Sequence, residues 1–227
     1  MSQKDQKINI AIGVPTMGII DYRFASALLA LKVPDQTRII WLPRVMIDTS
    51  RNMIVEKTLE DPANTHLLFI DDDMLFPPDL AQHLLSHDED IVGGLAFKRR
   101  EMFEPCVYKK KDGKYFPILV NKYTEVDAIG TGILLIKAKV FKKLKYPWFE
   151  TTYDADGTHW SVDFDFCKKA KKAGFKIYCD PTSDILHIGD PPTRGKQDFL
   201  KTLKDKNIQL DKLENHVKND RSNAKHK

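Results

Sequence analysis

The sequence lacks the features that mark several large protein classes. Its three cysteines (Cys106, Cys167 and Cys179) are an odd number at no metal-ligand spacing, so we expect reduced, buried thiols in a cytoplasmic protein. The most apolar stretch, residues 129–136, is interrupted by Gly130-Thr131-Gly132 and is far too short to span a bilayer. The first ten residues contain no apolar h-region, which argues against a secretory signal.

A net charge excess is also missing from most of the chain. The 227 residues carry a formal charge of +4, but residues 196–227 hold nine Lys/Arg and five Asp/Glu and account for all of it. A neutral body argues against a surface that wraps nucleic acid. We therefore expect the lysine-rich tail to be a solvated helix, with contact to an anionic partner, self-association or peripheral membrane contact as alternatives.

The pattern of apolar segments predicts an α/β fold. Apolar, strand-like segments at 8–14, 38–42, 67–70 and 91–92 alternate with helical spacing at 22–31, 52–59 and 79–86. The second half adds a hairpin turn at Asp112-Gly113, strands at 133–136, 175–179 and 185–188, and a helix at 162–173 that ends before Gly174. This order predicts a mostly parallel sheet flanked by helices in one domain, 1–195, followed by a helical tail, 196–227.

Three consecutive carboxylates follow the third apolar segment, in LLFIDDDMLF. In extended geometry Asp71 and Asp73 share one side of the strand, roughly 6.6 Å apart. At that distance two charges repel by about 2.5 kcal/mol at an effective dielectric near 20. The site therefore either retains a proton or holds a cation, and hard oxygen ligands favour Mg²⁺ or Mn²⁺. A solvated acidic loop is the alternative.

Four motifs in this order resemble those of nucleotide-sugar-dependent glycosyltransferases of the GT-A fold, and most closely the inverting family 2. They are LLFIDDDMLFPPDL with its D-x-D motif, DIVGGLAF, AIGTGILLIKAKVF, and SVDFDFCKKAKKAGFKIYCDPTSDILHIG. The resemblance covers most of residues 8–190. It implies a GT-A-like fold and the transfer of a hexose-like sugar from a nucleotide-diphosphate sugar, UDP-sugar being the commonest donor, to an unknown acceptor hydroxyl.

The resemblance also implies roles for individual acids. Asp71 and Asp72 would contact the nucleotide, with Asp71 facing its ribose. Asp71 would also be a metal ligand. Asp73 and His187 would bind Mn²⁺ or Mg²⁺. Asp163 would be the general base, with Asp165 as its alternative. A histidine packed at a strand end and an aspartate that stabilises a helix N-terminus are the structural interpretations of His187 and Asp163.

Three further residues are predicted to contact the donor. Thr16 follows the first strand, where the family has its nucleotide-binding turn. Arg51 opens a helix that Thr49 or Ser50 would cap, and would contact the nucleotide or be a plain surface charge. Gly94 would allow the backbone to approach the sugar or simply form a turn.

Two departures from the family leave the stereochemistry open. Val162 replaces the first acid of the usual Glu-Asp pair. In addition, HIGDPPTRGK resembles the H-x-G-x-x-K motif of retaining family 8 enzymes, in which Arg194 or Lys196 would meet the diphosphate.

Other functions compete with glycosyl transfer. A nucleotidyltransferase of similar fold usually needs a basic Gly-rich loop, and GVPTMG has no basic residue. An inactive nucleotide-binding module is a second alternative. A Rossmann-type oxidoreductase fits poorly, because no G-x-G-x-x-G follows the first strand.

Overall fold

A computed structural model describes residues 7–99, 104–155, 157–189 and 195–205. The first half contains β1 (Ile10–Thr16), α1 (Tyr22–Ala30), β2 (Arg38–Pro43), α2 (Ile47–Leu59), β3 (His66–Ile70), β4 (Met74–Leu75), α3 (Leu80–Ser86) and β5 (Ile91–Gly94). The second half contains β6 (Val107–Lys111), β7 (Lys114–Pro117), β8 (Thr124–Val126), β9 (Ala128–Ile129), β10 (Ile133–Lys137), α4 (Ala138–Lys143), β11 (Thr152–Tyr153), β12 (His159–Trp160), α5 (Val162–Lys172), β13 (Ile177–Asp180), β14 (Leu186–His187) and α6 (Lys196–Asp205).

The core is a seven-stranded sheet in the order β2-β1-β3-β10-β5-β13-β8. Strands β2, β1, β3, β5 and β13 run in one direction, while β10 and β8 run antiparallel to their neighbours. The predicted α/β class with a mostly parallel sheet is therefore confirmed. Because five strands share a direction, their carboxyl ends meet at one edge, where such sheets bind ligands.

Helices cover both faces of this sheet because its strands are apolar on both sides. One face packs against α2, α4, α5 and α6 through buried side chains such as Val55, Phe141, Phe166 and Phe199. The opposite face packs against α1 and α3 through Phe24, Leu28, Leu80 and Leu84. A small sheet, β7-β6-β9, and two short two-stranded pairings, β11-β12 and β14-β4, lie outside the main sheet.

Two predicted boundaries were wrong in ways that matter for the site. Strand β1 continues through Pro15 to Thr16, which pairs with Pro43 of β2. The proline is tolerated because β3 pairs with β1 only at residues 10–13, so Pro15 lies in an edge-like position. Helix α2 begins at Ile47 after Met46, so Thr49 and Ser50 lie inside the helix and do not cap it. Arg51 is consequently one turn into α2 and is only 3% exposed, which excludes a plain surface charge.

The described start of the tail packs against the body. Phe199 and Leu203 of α6 are buried in the main core, and Phe199 lies 5.2 Å from the ring of Phe97. The rest of the predicted tail, 206–227, lies outside the described residues, as does Arg194.

The cysteines and the helix lengths bear on two further predictions. All three cysteines are free; Cys167 and Cys179 are buried, and Cys106 is partly exposed. Among the described residues, no helix combines the length and apolar character needed to cross a bilayer. The cytoplasmic location stays a prediction.

Candidate active site

The three carboxylates form a turn at the carboxyl edge of the sheet. Strand β3 ends at Ile70, and the amide of Met74 donates to the carbonyl of Asp71 at 3.1 Å. The extended geometry expected for Asp71 and Asp73 therefore stops where the acids begin. The amide of Asp71 donates to Gly132 O at 2.9 Å, which holds the turn against the start of β10.

Asp71 is paired with Arg51 from α2. Nη2 of the guanidinium donates to both carboxylate oxygens, at 3.0 and 3.1 Å. Burial raises the pKa of Asp71, with the charges of Asp73 and Asp163 adding to the increase and Arg51 opposing it. Arg51 therefore helps to keep a crowded carboxylate ionised.

Asp73 meets a histidine and a second arginine. Its Oδ2 lies 3.2 Å from His187 Nε2 and 3.1 Å from Arg99 Nη1. Burial alone would raise the pKa of Asp73, but the hydrogen bond from His187 and the charges of His187 and Arg99 lower it overall. The pair links the turn after β3 to β14, which itself is paired with β4.

The orientation of His187 suits a metal ligand. Its Nδ1 lies 2.7 Å from Phe97 O, and because a carbonyl can only accept, Nδ1 must carry the proton. Donation to Asp73 requires a second proton on Nε2; a bound metal would replace that proton, and the Nε2 lone pair would then face the ion. Metal-binding histidines commonly use their other nitrogen in this way.

Asp163 lies in the first turn of α5 and is held by Thr131. The Thr131 hydroxyl donates to Asp163 Oδ1 at 2.5 Å, and Thr131 is 1% exposed. Thr131 directly precedes Gly132, whose carbonyl accepts from the amide of Asp71. One segment therefore contacts both Asp71 and Asp163.

Asp165 has a different environment from Asp163. Its Oδ2 lies 2.6 Å from Lys169 Nζ, one turn further along α5, and the side chain is 10% exposed. Residues two apart on a helix do not share a face. The ion pair gives Asp165 a structural role, and its assignment as an alternative base remains only a prediction.

A cavity of about 650 Å³ opens beside the three acids. It is lined by the segment after β1, the segment from Arg44 into α2, and the carboxylate turn; the lining residues are Pro15, Thr16, Met17, Arg44, Val45, Met46, Ile47, Asp71, Asp72 and Asp73. The Thr16 hydroxyl accepts from the amide of Gly18 at 3.0 Å and so orders this rim. An apolar wall beside carboxylates suits a ligand with a flat ring and a hydroxylated or charged portion.

Gly94 and Lys196, which were predicted to contact the donor, are not among the residues that line the cavity. Gly94 is inside strand β5 and not in a turn, and a Cβ there would overlap Ile185 Cδ1, so packing alone accounts for a glycine. Lys196 is half-buried at the start of α6.

Three polar residues of the site were missed by the sequence analysis. Thr131 lies between two glycines in AIGTGILLIKAKVF, where no local pattern distinguishes its hydroxyl. Arg99 follows β5 with no local signal. Arg44, at the cavity, has a left-handed backbone with φ of 58°, an uncommon conformation for a non-glycine residue.

Comparison with known proteins identifies the fold. No protein-family model matches the chain, and none of the curated proteins matches its sequence. The crystal structure of A197 from STIV matches with a TM-score of 0.57 and 19% identity, over 81% of this chain and 87% of that one. The crystal structure of GalNAc-T7 with UDP, GalNAc and Mn²⁺ matches with a TM-score of 0.56 and 10% identity, over 89% of this chain.

These similarities establish a GT-A-like fold. The chain spans about half of GalNAc-T7, with 48% of that chain covered. At such low identity the comparisons support the architecture alone, and they do not assign the chain to family 2 or to another sequence family.

Proposed function

We propose that this protein is a metal-dependent glycosyltransferase that moves a sugar from a nucleotide-diphosphate sugar, most favourably a UDP-sugar, to an acceptor hydroxyl. The observation that carries the proposal is the convergence of His187 on Asp73, with 3.2 Å between Nε2 and Oδ2, where Asp73 also lines a cavity of about 650 Å³. The solved structure of GalNAc-T7, which has a similar fold, contains UDP and Mn²⁺ and supports the same chemistry.

The donor set fits a divalent ion. Asp73 offers a carboxylate oxygen and His187 an imidazole nitrogen whose partner nitrogen is already engaged by Phe97 O. Imidazole is a softer ligand than oxygen, so this pair favours Mn²⁺ over Mg²⁺. When bound, the ion would neutralise charge that develops on the departing diphosphate.

The protein side chains would divide the remaining work. Asp71, paired with Arg51, would accept from a ribose hydroxyl, and Asp72 and Thr16 would line the nucleotide pocket. Arg99, now 3.1 Å from Asp73, is 58% exposed at its side chain and can turn toward a phosphate oxygen. Gly94 stays a prediction as a contact to the sugar donor.

Asp163 is the general base in this proposal. Because Thr131 engages Oδ1, we assign Oδ2 to the acceptor hydroxyl proton. In the inverting version, Asp163 lies on the face of the sugar opposite the diphosphate, and one in-line displacement occurs at the anomeric carbon. A retaining outcome remains the alternative.

Donor hydrolysis tests the proposal without knowledge of the acceptor. Purified protein is screened with nucleoside diphosphates and nucleotide sugars, with and without Mn²⁺, first by thermal shift and then by release of nucleoside diphosphate. We expect stabilisation that needs both nucleotide and metal, followed by slow hydrolysis. Binding without hydrolysis would favour an inactive nucleotide-binding module.

One observation favours a second candidate, a nucleotidyltransferase of similar fold. The loop after β1 lacks a basic residue, but Arg44 packs beside Gly18: a Cβ at Gly18 would be 3.0 Å from Arg44 Nε. A cation beside this loop supports the candidate. Release of pyrophosphate from a nucleoside triphosphate and a sugar 1-phosphate would identify that activity.

A further inference from the structure

A second group of ligating side chains lies between α3 and the end of β13. His83 lies in α3 and His87 is the residue that caps its C-terminus. Because they are four residues apart, their side chains lie on the same side of the helix. Asp180 ends β13 and is 1% exposed. Its Oδ2 lies 2.7 Å from His83 Nε2 and 2.5 Å from His87 Nε2.

The surroundings fix the carboxylate toward the two rings. Asp180 Oδ1 accepts from the amide and the hydroxyl of Thr182, at 2.8 and 2.7 Å, which leaves Oδ2 directed at the histidines. The ring of His87 stacks on Tyr123 with 4.2 Å between centroids and 14° between planes. Such secondary contacts orient ligands around a metal.

The donor set is that of a transition-metal site. The three ligand atoms lie within 4.8 Å of one another. Zinc bonds of 2.0–2.1 Å at tetrahedral angles separate ligand atoms by about 3.3 Å, so each imidazole nitrogen, now 2.7 or 2.5 Å from Oδ2, has to withdraw from that oxygen by less than about 1 Å. His83 can make this adjustment because its side chain is 39% exposed.

We propose that His83, His87 and Asp180 bind one divalent transition-metal ion, for which Zn²⁺ is the best fit, with water completing the shell. The ion ties α3 to the end of β13. Its ligands come from elements other than those of Asp73 and His187, so this inference does not rest on the proposed function. Without a metal, both histidines are hydrogen-bonded to Asp180, and His83 Nε2 also lies 2.7 Å from the Thr182 hydroxyl. The experiment must distinguish this hydrogen-bonded state from a metal-bound one.

Calorimetric titration of chelator-treated protein with Zn²⁺ alone tests the proposal. Four proteins are compared: wild type, His83→Gln/His87→Gln, Asp73→Asn, and the matched control His159→Gln, which changes an exposed histidine elsewhere. We expect a tight site in wild type that is weakened at least 100-fold in the double variant and retained in the other two, with weaker zinc binding at Asp73 and His187 lost only in Asp73→Asn.

Two measurements on the wild-type protein test the site even if a variant folds poorly: the absorption spectrum with Co²⁺ and the melting midpoint with Zn²⁺. Co²⁺ bound to wild type should give the visible absorption of a site with nitrogen ligands, and Zn²⁺ should raise its melting midpoint by several degrees. Equal zinc affinity in the double variant and wild type would overturn the proposal. So would loss of the tight site in Asp73→Asn, and wild type that shows neither cobalt absorption nor a thermal shift.

Discussion

The guanidinium of Arg51 donates from one nitrogen, Nη2, to both carboxylate oxygens of Asp71, while Arg51 itself is 3% exposed. The Asp71 side chain retains 29% exposure and faces the cavity. The buried Arg51 therefore stabilises the Asp71 carboxylate from inside the protein, while a ligand in the cavity can reach the same carboxylate from its exposed side. Phe69 contributes to holding the guanidinium, whose Cζ lies 5.2 Å from the ring centroid.

Replacing Arg51 should destabilise the protein strongly. Arg51→Met leaves Asp71 crowded by other acids without its partner, so we expect the free energy of unfolding to fall by about 2–4 kcal/mol. Urea unfolding followed by circular dichroism measures this loss. Arg38→Met, at an exposed arginine of β2, is the matched control and should change stability by less than about 0.5 kcal/mol.

The double variant separates the ion pair from lost packing. In Arg51→Met/Asp71→Asn the uncompensated charge is gone, so part of the stability should return, with a coupling of about 0.5–3 kcal/mol. Strictly additive losses would mean that the pair does not stabilise Asp71.

Asp163→Asn should lower donor hydrolysis by about 10²–10⁴-fold while nucleotide affinity is retained, because a general base acts on the attacking hydroxyl or water. Thr131→Val should give a smaller loss of activity, because the Asp163 carboxylate is still present and loses only the 2.5 Å hydrogen bond that orients it. Thr131→Ser should restore activity. Steady-state rates and nucleotide titrations check both quantities.

Asp165→Asn is the comparison for that experiment. Asp165 is paired with Lys169, so its loss should lower stability but leave the rate per folded molecule near wild type. A larger rate loss in Asp165→Asn than in Asp163→Asn would reverse the assignment of the base.

The sequence predicted the fold well because apolar periodicity is a local signal, as β3 and its acidic end show. It also predicted Asp73 and His187 as metal ligands, and the fold brings them within 3.2 Å although they are 114 positions apart; their role stays a prediction. It predicted the start of α2 too late, and with it the surroundings of Arg51, because the N-cap Met46 provides no side-chain cap that the sequence could reveal. Thr131 and Arg99 could not be found, since their partners, Asp163 and Asp73, are defined by tertiary packing alone.

Gly94→Ala should destabilise the protein by about 1–3 kcal/mol, because the new Cβ overlaps Ile185 Cδ1. Ile185→Val removes that atom, so the double variant should recover much of the loss. Chemical unfolding measures stability, and nucleotide titration tests the donor contact. Weakened nucleotide affinity in the stable double variant would support the predicted sugar contact over packing alone.

His66 should make stability depend on pH. Burial, followed by the charge of Lys137, lowers the pKa of His66 from 6.5 to about 4. The unfolded chain therefore binds a proton that the folded chain rejects, so stability is complete above pH 6.5 and falls toward pH 4. We expect about 2 kcal/mol to be lost between pH 7.5 and pH 4.5.

The variant His66→Gln isolates this contribution from the carboxylates. Urea unfolding at both pH values should show a smaller loss in the variant than in wild type, by about the same 2 kcal/mol. Identical pH dependence in the two proteins would mean that His66 is not held neutral by the fold.

The most direct test of the account is the affinity for UDP with and without Mn²⁺, measured by calorimetry for wild type, Asp73→Asn and the exposed control Asp112→Asn. The account predicts that Mn²⁺ tightens UDP binding at least 10-fold in wild type and in Asp112→Asn, and that Asp73→Asn loses this dependence while remaining folded. Metal-dependent UDP binding of equal strength in Asp73→Asn would contradict it.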